Sequence, residues 1–250
     1  MPTFSDLKSE YARLWTTMEV RPERETAVTL IAQKLLRHKA IYVETERATG
    51  VPWFVVAALH NRESGADFAT YLGNREPLTR ETRLVPKGRG PFDSWQAGAI
   101  DALKLDRLDQ VSEWTPERAC YEIEKFNGFG YQKKGIPSPY LWSFSNNYEA
   151  GKYVADGVFD ATAVDKQCGA IPVLKRLMKL DTTARFTDGI KVKKPIDTGV
   201  IITAGGGAVA TAGAAAAAAG VNPAIIAAIV IAIGAAVIAY LICRRTHAGS

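Results

Sequence analysis

The stretch that decides the fold is residues 49–68, TGVPWFVVAALHNRESGADF. Its opening Thr-Gly-Val-Pro sequence disfavours continuation of any preceding helix, because glycine and the residue before a proline both avoid helical geometry. The apolar run that follows predicts a short buried helix from Trp53 to about Arg62. This helix ends beside a single carboxylate, Glu63, which is followed at once by Ser-Gly.

The position of Glu63 predicts a carboxyl group that can act as a general acid. His60 and Leu59 lie three and four residues earlier and share its helix face. Apolar neighbours desolvate a carboxyl group and favour its neutral form, which is the form that donates a proton. The ordinary alternative is a solvated glutamate at a helix end, and the nearly all-apolar helix weighs against it.

The sequence on either side of this helix predicts a mainly α domain with a small β element. Residues 64–93 are rich in Gly, Asn, Pro and Thr, which indicates loops and a small β-hairpin. Helical periodicity flanks this segment on both sides. The predicted helices cover residues 5–18 with Ser5 as N-cap, 24–47, 94–105, 115–126 with Thr115 as N-cap, and 169–180.

Composition divides the 250 residues into two parts. No charged residue occurs in the 45 positions from Gly199 to Cys243, although the chain as a whole carries a net charge of +5. Residues 1–198 hold 29 basic and 26 acidic residues, and this length suits one domain with a substantial core. The composition excludes a disordered chain, a collagen-like chain and a small disulfide scaffold. The three dispersed cysteines indicate a reduced chain.

The uncharged part predicts a membrane tail. Residues 224–243 are twenty in number, about one membrane thickness as a helix, and Arg244-Arg245 follows them. Residues 199–221 are mostly Gly and Ala. They could form the second span of a transmembrane hairpin or a flexible linker, and both alternatives stay open. The first residues lack a secretory signal pattern. The predicted divisions are N-terminal helices at 1–44, a catalytic domain at 45–182, a basic linker at 183–198, the tail at 199–243 and a basic C-terminus at 244–250.

The helix with its Glu63-Ser64 pair resembles the catalytic motif of the lysozyme-like superfamily, to which goose-type lysozymes and soluble lytic transglycosylases belong. Phage and prophage endolysin-like lysozymes are more similar still, and the resemblance covers roughly residues 45–180. Phe126 stands where the family has a tyrosine before Asn-x-Gly. Further matching segments are Asn74-Arg75-Glu76-Pro77-Leu78 (Asn-Gly-Asp-Pro-Leu in the family), Pro86-Lys87-Gly88-Arg89-Gly90-Pro91, Asp101-Ala102-Leu103, Asn127-Gly128-Phe129-Gly130-Tyr131 and Ser138-Pro139-Tyr140-Leu141-Trp142.

The resemblance implies a peptidoglycan-degrading glycoside hydrolase. Such a muramidase cleaves the β-1,4 bond between N-acetylmuramic acid and N-acetylglucosamine, with Glu63 as the general acid. No cofactor and no metal is expected. The expected substrate-binding residues are His60, Ser64, Asn74, Asn127, Tyr131, Tyr140 and Trp142.

Several alternatives stay open at this point. Asp67, Glu76 and Asp93 are the candidates for a second carboxylate. Without one, a sugar hydroxyl could attack instead, which would make the protein a lytic transglycosylase. A non-catalytic membrane protein that binds peptidoglycan is the third alternative. The expected partners are peptidoglycan, the membrane and a holin-type lysis protein, with no nucleic acid. The protein is expected at the host inner membrane, with its domain on either side, and it is expected to act on the bacterial cell wall.

Overall fold

The computed structural model describes residues 1–186, and this part of the chain is mainly helical. Two short antiparallel strands, β1 (Lys152–Ala155) and β2 (Val158–Asp160), form the one sheet among these residues. The helices are α1 (Phe4–Thr17), α2 (Glu25–Leu36), α3 (Lys39–Thr49), α4 (Trp53–Ser64), α5 (Trp95–Leu105), α6 (Pro116–Asn127), α7 (Pro139–Trp142) and α8 (Ala170–Leu180). Single 3-10 turns lie at Pro22–Arg24, Leu108–Gln110 and Gln132–Lys134.

Helix α4 is the centre of the core. All ten residues from 53 to 62 are buried, so the helix has no solvent-facing side along most of its length. Helices α3 and α8 pack against it, and α2 touches it as well. A helix that is apolar nearly all round must be covered on every side, and the remaining helices supply that cover. Only the last turn of α4, which carries Glu63, is partly open to solvent.

The N-terminal helices belong to the same compact unit as the rest of residues 1–186. Helix α1 packs on α6, and its N-cap is Thr3 rather than the predicted Ser5, in a capping box with Asp6. The single helix predicted at 24–47 is wrong, since the chain turns at Arg37 and His38. The turn lets α2 pack on α8 while α3 packs on α4 and α5, which one straight helix could not do.

The irregular segment between α4 and α5 contains no strand, so the hairpin predicted at 64–93 is wrong. A single bridge, between Thr70 and Pro77, is its only β pairing. The segment is instead organised by the buried carboxylate of Glu76, which accepts the backbone N–H groups of Arg83 and Leu84, each at 2.7 Å. Side-chain to backbone bonds of this kind compete with strand pairing. The hairpin found within residues 1–186 is β1–β2, further along the chain.

No helix within residues 1–186 is long and apolar enough to cross a membrane. The predicted tail at 199–243, the basic C-terminus at 244–250 and all but the first residues of the linker lie outside the described residues. Residues 181–186 follow α8, and Asp181 binds the ammonium of Lys39 at 2.6 Å.

Gly169 leaves less room for a side chain than any other glycine among the described residues, and this generates a stability prediction. It is the N-cap of α8, and a Cβ atom there would lie 2.3 Å from the carbonyl oxygen of Leu141 in α7. We expect Gly169→Ala to lower the free energy of unfolding by about 3 kcal/mol, because rigid backbone must move. Urea unfolding of the full chain, followed by the fluorescence of tryptophans that all lie before residue 187, measures this.

Gly157 provides the matched control. It sits in the β1–β2 turn with φ +69°, and a Cβ atom there would have nothing within 4 Å. Gly157→Ala therefore introduces backbone strain without a clash and should cost only about 1 kcal/mol. Equal losses for the two substitutions would contradict the packing assigned to α7 and α8.

Candidate active site

Glu63 lies in the last turn of α4, at the point where the buried helix reaches the surface. Gly65 ends the helix in the left-handed conformation, with φ +65°, and its N–H donates to the carbonyl of Asn61 at 2.9 Å. The Glu63 side chain keeps 16% of its surface exposed, while the ten residues before it are buried. The carboxyl group is thus largely desolvated but can still be reached from outside.

A tyrosine from a distant part of the chain contacts this carboxyl group. The hydroxyl of Tyr140 donates to Oε1 of Glu63 at 2.5 Å. Tyr140 lies in α7, whose first residue is Pro139, and is itself only 4% exposed. Phe126, which precedes Asn127, has no hydroxyl to offer. Tyr140 supplies a hydroxyl to Glu63 from another element.

Arg75 approaches the same carboxyl group from the loop between α4 and α5. Its Nε lies 3.9 Å from Oε2 of Glu63, and its Nη2 donates to the carbonyl of Arg62 at 3.2 Å. Its backbone has φ +65°, which is uncommon for a residue with a side chain. Tyr71 holds the turn, because its carbonyl accepts the N–H of Arg75 at 2.9 Å. The Arg75 side chain remains 56% exposed.

These surroundings act on the pKa of Glu63 in opposite directions. Burial raises the pKa and is the largest influence. The hydrogen bond from Tyr140 and the charges of Arg75 and Arg62 lower it, and the charge of Asp106 raises it. The net effect is a raised pKa, so Glu63 keeps its proton to a higher pH than an ordinary glutamate. Such a group can donate a proton to a bound molecule.

A buried ion pair stabilises the residues next to Glu63. The guanidinium of Arg62 binds the carboxylate of Asp165, and both side chains are less than 10% exposed. The same guanidinium lies 5.1 Å from the ring centroid of Tyr140. Gln167 donates to the carbonyl of Arg62 at 2.6 Å. The end of α4, Tyr140 and the segment after β2 are therefore fixed relative to one another.

Two of the expected substrate-binding residues, His60 and Trp142, cannot contact a ligand, because neither has any exposed surface. Nδ1 of His60 lies 3.0 Å from the hydroxyl of Tyr42, and its Nε2 lies 3.1 Å from the carbonyl of Asp67. Burial lowers the pKa of His60 to about 4, so the ring is neutral. Both expectations are corrected: these side chains belong to the core.

The other expected binding residues fall into two groups. Ser64 and Asn74 are used locally: the Ser64 hydroxyl donates to the carbonyl of His60 at 3.4 Å, and the Asn74 amide donates to the carbonyl of Leu84 at 3.2 Å. Tyr131 is 7% exposed and accepts the N–H of Tyr153 at 3.2 Å, which ties it to the hairpin. Asn127 is exposed at the end of α6 and can be reached by a ligand.

None of the three predicted second carboxylates contacts Glu63. Glu76 accepts hydrogen bonds from backbone N–H groups of the loop, and these bonds lower its pKa. Asp67 is exposed and accepts the N–H of Ala69 at 2.9 Å. Asp93 is exposed, immediately before the N-cap of α5. Their role in holding a water therefore stays a prediction.

Sequence reasoning missed three charged groups that act on Glu63, and these are Arg62, Arg75 and Asp106. Asp106 follows α5, is partly buried, and has a raised pKa caused by desolvation. No local pattern distinguishes Asp106, because only the tertiary fold brings it near Glu63. Arg75 had one signal in the sequence, because Asn74-Arg75-Glu76 departs from the Asn-Gly-Asp pattern that this segment otherwise resembles.

Comparison with known proteins finds no match to this chain among family models, curated proteins or solved structures.

The contact between Tyr140 and Glu63 generates a prediction about acidity. A hydroxyl that donates to a carboxylate stabilises its charged form, so we expect Tyr140→Phe to raise the pKa of Glu63 further. Carboxyl carbon NMR titration, with the Glu63 signal assigned by its absence in Glu63→Gln, measures this. Tyr131→Phe is the matched control and should leave the titration unchanged. A lower pKa in Tyr140→Phe would show that the hydroxyl does not serve the carboxylate.

Proposed function

We propose that this protein is a peptidoglycan-degrading glycoside hydrolase, a muramidase with a lysozyme-like domain. The observation that carries the proposal is a single one: a desolvated carboxyl group at the open end of an otherwise buried helix, with a tyrosine hydroxyl bound to it. The motifs around Glu63 and Asn127 that resemble endolysin-like lysozymes supply the substrate class. The cleaved bond is the β-1,4 linkage between N-acetylmuramic acid and N-acetylglucosamine.

In the proposed reaction, Glu63 gives its proton to the glycosidic oxygen. The bond from that oxygen to the anomeric carbon breaks as the sugar takes on oxocarbenium character. The proton transfer leaves Glu63 as a carboxylate, which the Tyr140 hydroxyl and the charges of Arg62 and Arg75 stabilise. The groups that lower the pKa of Glu63 before the reaction are therefore the groups that stabilise its carboxylate after the proton has left.

Asp106 is our candidate for the group that holds the attacking water. It is partly desolvated, and its charge reaches Glu63. Burial is the larger influence and raises the pKa of Asp106, while the charge of Lys125 favours the ionised form that a general base requires. Water would then add to the anomeric carbon and lose a proton to Asp106, so that the product keeps a free reducing end.

Delivery to the wall belongs to the same proposal. Residues 199–243 would hold the protein at the host inner membrane, and a holin-type protein is the partner that would bring the domain to peptidoglycan. Protease accessibility of residues 1–186 in intact spheroplasts tests on which side of the membrane the domain lies.

Glu63→Gln is the first test of the proposed function. Removal of a general acid should lower the rate of peptidoglycan hydrolysis by about 10²- to 10⁴-fold, because glutamine cannot donate the proton. Clearing of purified wall suspensions by the full-length protein measures the rate. Wild-type activity should also fall on the alkaline side as Glu63 loses its proton, at a higher pH than for an ordinary glutamate.

Glu46→Gln is the matched control for this test. Glu46 is also a partly buried glutamate whose pKa burial raises, but it lies on α3 and does not contact Glu63. Its substitution should leave the rate within about twofold. Wall binding without release of sugars by the wild-type protein would instead favour a non-catalytic binder.

Asp106→Asn tests the water-holding role. We expect hydrolysis to fall by about 10²-fold or more, since the water loses its base. Mass spectrometry of the products separates the outcomes, because hydrolysis leaves reducing ends and intramolecular attack leaves anhydro-sugars. Anhydro-sugars from the wild-type protein would make it a lytic transglycosylase. Asp109→Asn, a nearby carboxylate in the turn after α5, is the control and should retain activity.

A further inference from the structure

Arg75 is a cation at the edge of the candidate active site that the proposed reaction uses only through its charge. Its head group lies 3.9 Å from Glu63, yet more than half of the side chain is exposed. The guanidinium carries five N–H donors, and within the described residues one hydrogen bond is observed, to the carbonyl of Arg62. Donors therefore remain available at the point where a substrate would meet the acid.

Two other cations of the same loop, Arg80 and Arg89, have carboxylate partners. Arg89 pairs with Asp101, and Arg80 lies 3.8 Å from Glu76. The one carboxylate within 4.0 Å of Arg75 in residues 1–186 is Glu63 itself. A general acid must be protonated before it reacts, and in that state it is no counter-ion. The competent form of the site thus leaves Arg75 as a cation without a counter-charge at this distance.

We propose that Arg75 binds a carboxylate carried by the sugar next to the cleaved bond. The inference rests on the proposed function and narrows its substrate to acidic glycan strands. The guanidinium group is the side-chain group best suited to bind a carboxylate through two parallel hydrogen bonds. On a muramic acid strand, that carboxylate belongs to the lactyl substituent or to the peptide attached to it.

Binding at Arg75 is linked to the acidity of Glu63. The groups that act on Glu63 are Arg62 at the end of α4, Arg75 on the loop, Tyr140 on α7 and Asp106 after α5. A bound carboxylate neutralises Arg75, and that removes one of the charges that lower the pKa of Glu63. Glu63 therefore keeps its proton to a higher pH in the complex with an acidic strand. A neutral strand binds without this effect.

The test compares three forms of one glycan preparation with the full-length protein. The first bears its peptides, the second has been stripped by an amidase so that lactyl carboxylates are free, and the third is the stripped strand with those carboxylates converted to methylamides. We expect the methylamide form to be cleaved with a kcat/KM about tenfold lower than the better acidic form, the usual size of one charge-assisted hydrogen bond. Which acidic form is better identifies the source of the carboxylate.

Arg75→Gly is the informative variant, because glycine accepts φ +65° without strain and removes the side chain. It should lose the roughly tenfold preference and cleave all forms about equally, since the charge-assisted bond is gone. Arg75→Lys should keep part of the preference. Arg83→Gln, an exposed arginine of the same loop, is the control and should keep all of it.

The pH profiles provide a readout that a structural role would not move. With acidic strands, the alkaline limb of kcat should lie at higher pH than the alkaline limb of kcat/KM, and Arg75→Gly should remove this separation. Equal cleavage of all forms by the wild-type protein would overturn the inference and leave the proposed function intact. Cleavage of no form by the wild-type protein would overturn the proposed function itself.

Discussion

The burial of helix α4 is the constraint on which the rest of the structure depends. Ten consecutive residues without a solvent-facing side cannot form a stable helix alone, because most helical stability in proteins comes from packing. The stability of α4 therefore depends on its packing against α2, α3 and α8. The only part of α4 that they leave partly uncovered is its last turn. The same packing that forms the core thus decides where a reactive side chain can lie.

The last turn of α4 needs hydrogen-bond donors from outside the helix, because a helix end leaves carbonyl groups without partners. Gly65 satisfies one of them through its own N–H, and Arg62 and Asn61 share the amide of Gln167. The buried charge of Arg62 is in turn balanced by Asp165. A buried charge that lost its partner would destabilise the fold strongly. The ion pair therefore stabilises the end of α4 and, through the ring of Tyr140, holds the hydroxyl that serves Glu63.

The sequence predicted the elements whose signals are local. Thr115 and Pro116 begin α6 as expected, and the Gly-x-Pro entry and apolar run of α4 were read correctly, because caps and periodicity depend on neighbours in the chain. Two elements whose form depends on distant contacts were predicted wrongly. The helix at 24–47 is broken because its two halves pack on different partners, and the loop around Glu76 has no strand because a carboxylate occupies its N–H groups.

The candidate site divides in the same way. Glu63 could be singled out from its helix, whereas the group that touches it, Tyr140, lies 77 residues further along the chain. Local reasoning gave Tyr140 as one of seven expected substrate-binding residues, but it did not predict the contact with Glu63. It also placed His60 and Trp142 at the ligand, although their helices bury them entirely. Periodicity identifies which residues share a helix face. Tertiary packing decides whether that face is buried or exposed.

An acid of the proposed kind must meet two opposing demands, and the surroundings of Glu63 address both. Burial alone would hold the proton at rest but would make the carboxylate formed in the reaction costly. Positive charges alone would stabilise that carboxylate but would leave the group ionised before the substrate arrived. Arg62, buried and paired with Asp165, provides an influence that a substrate cannot alter. Arg75, more than half exposed, provides one that a bound anion can remove. The balance is therefore set by the fold on one side of the carboxyl group and remains open to the ligand on the other.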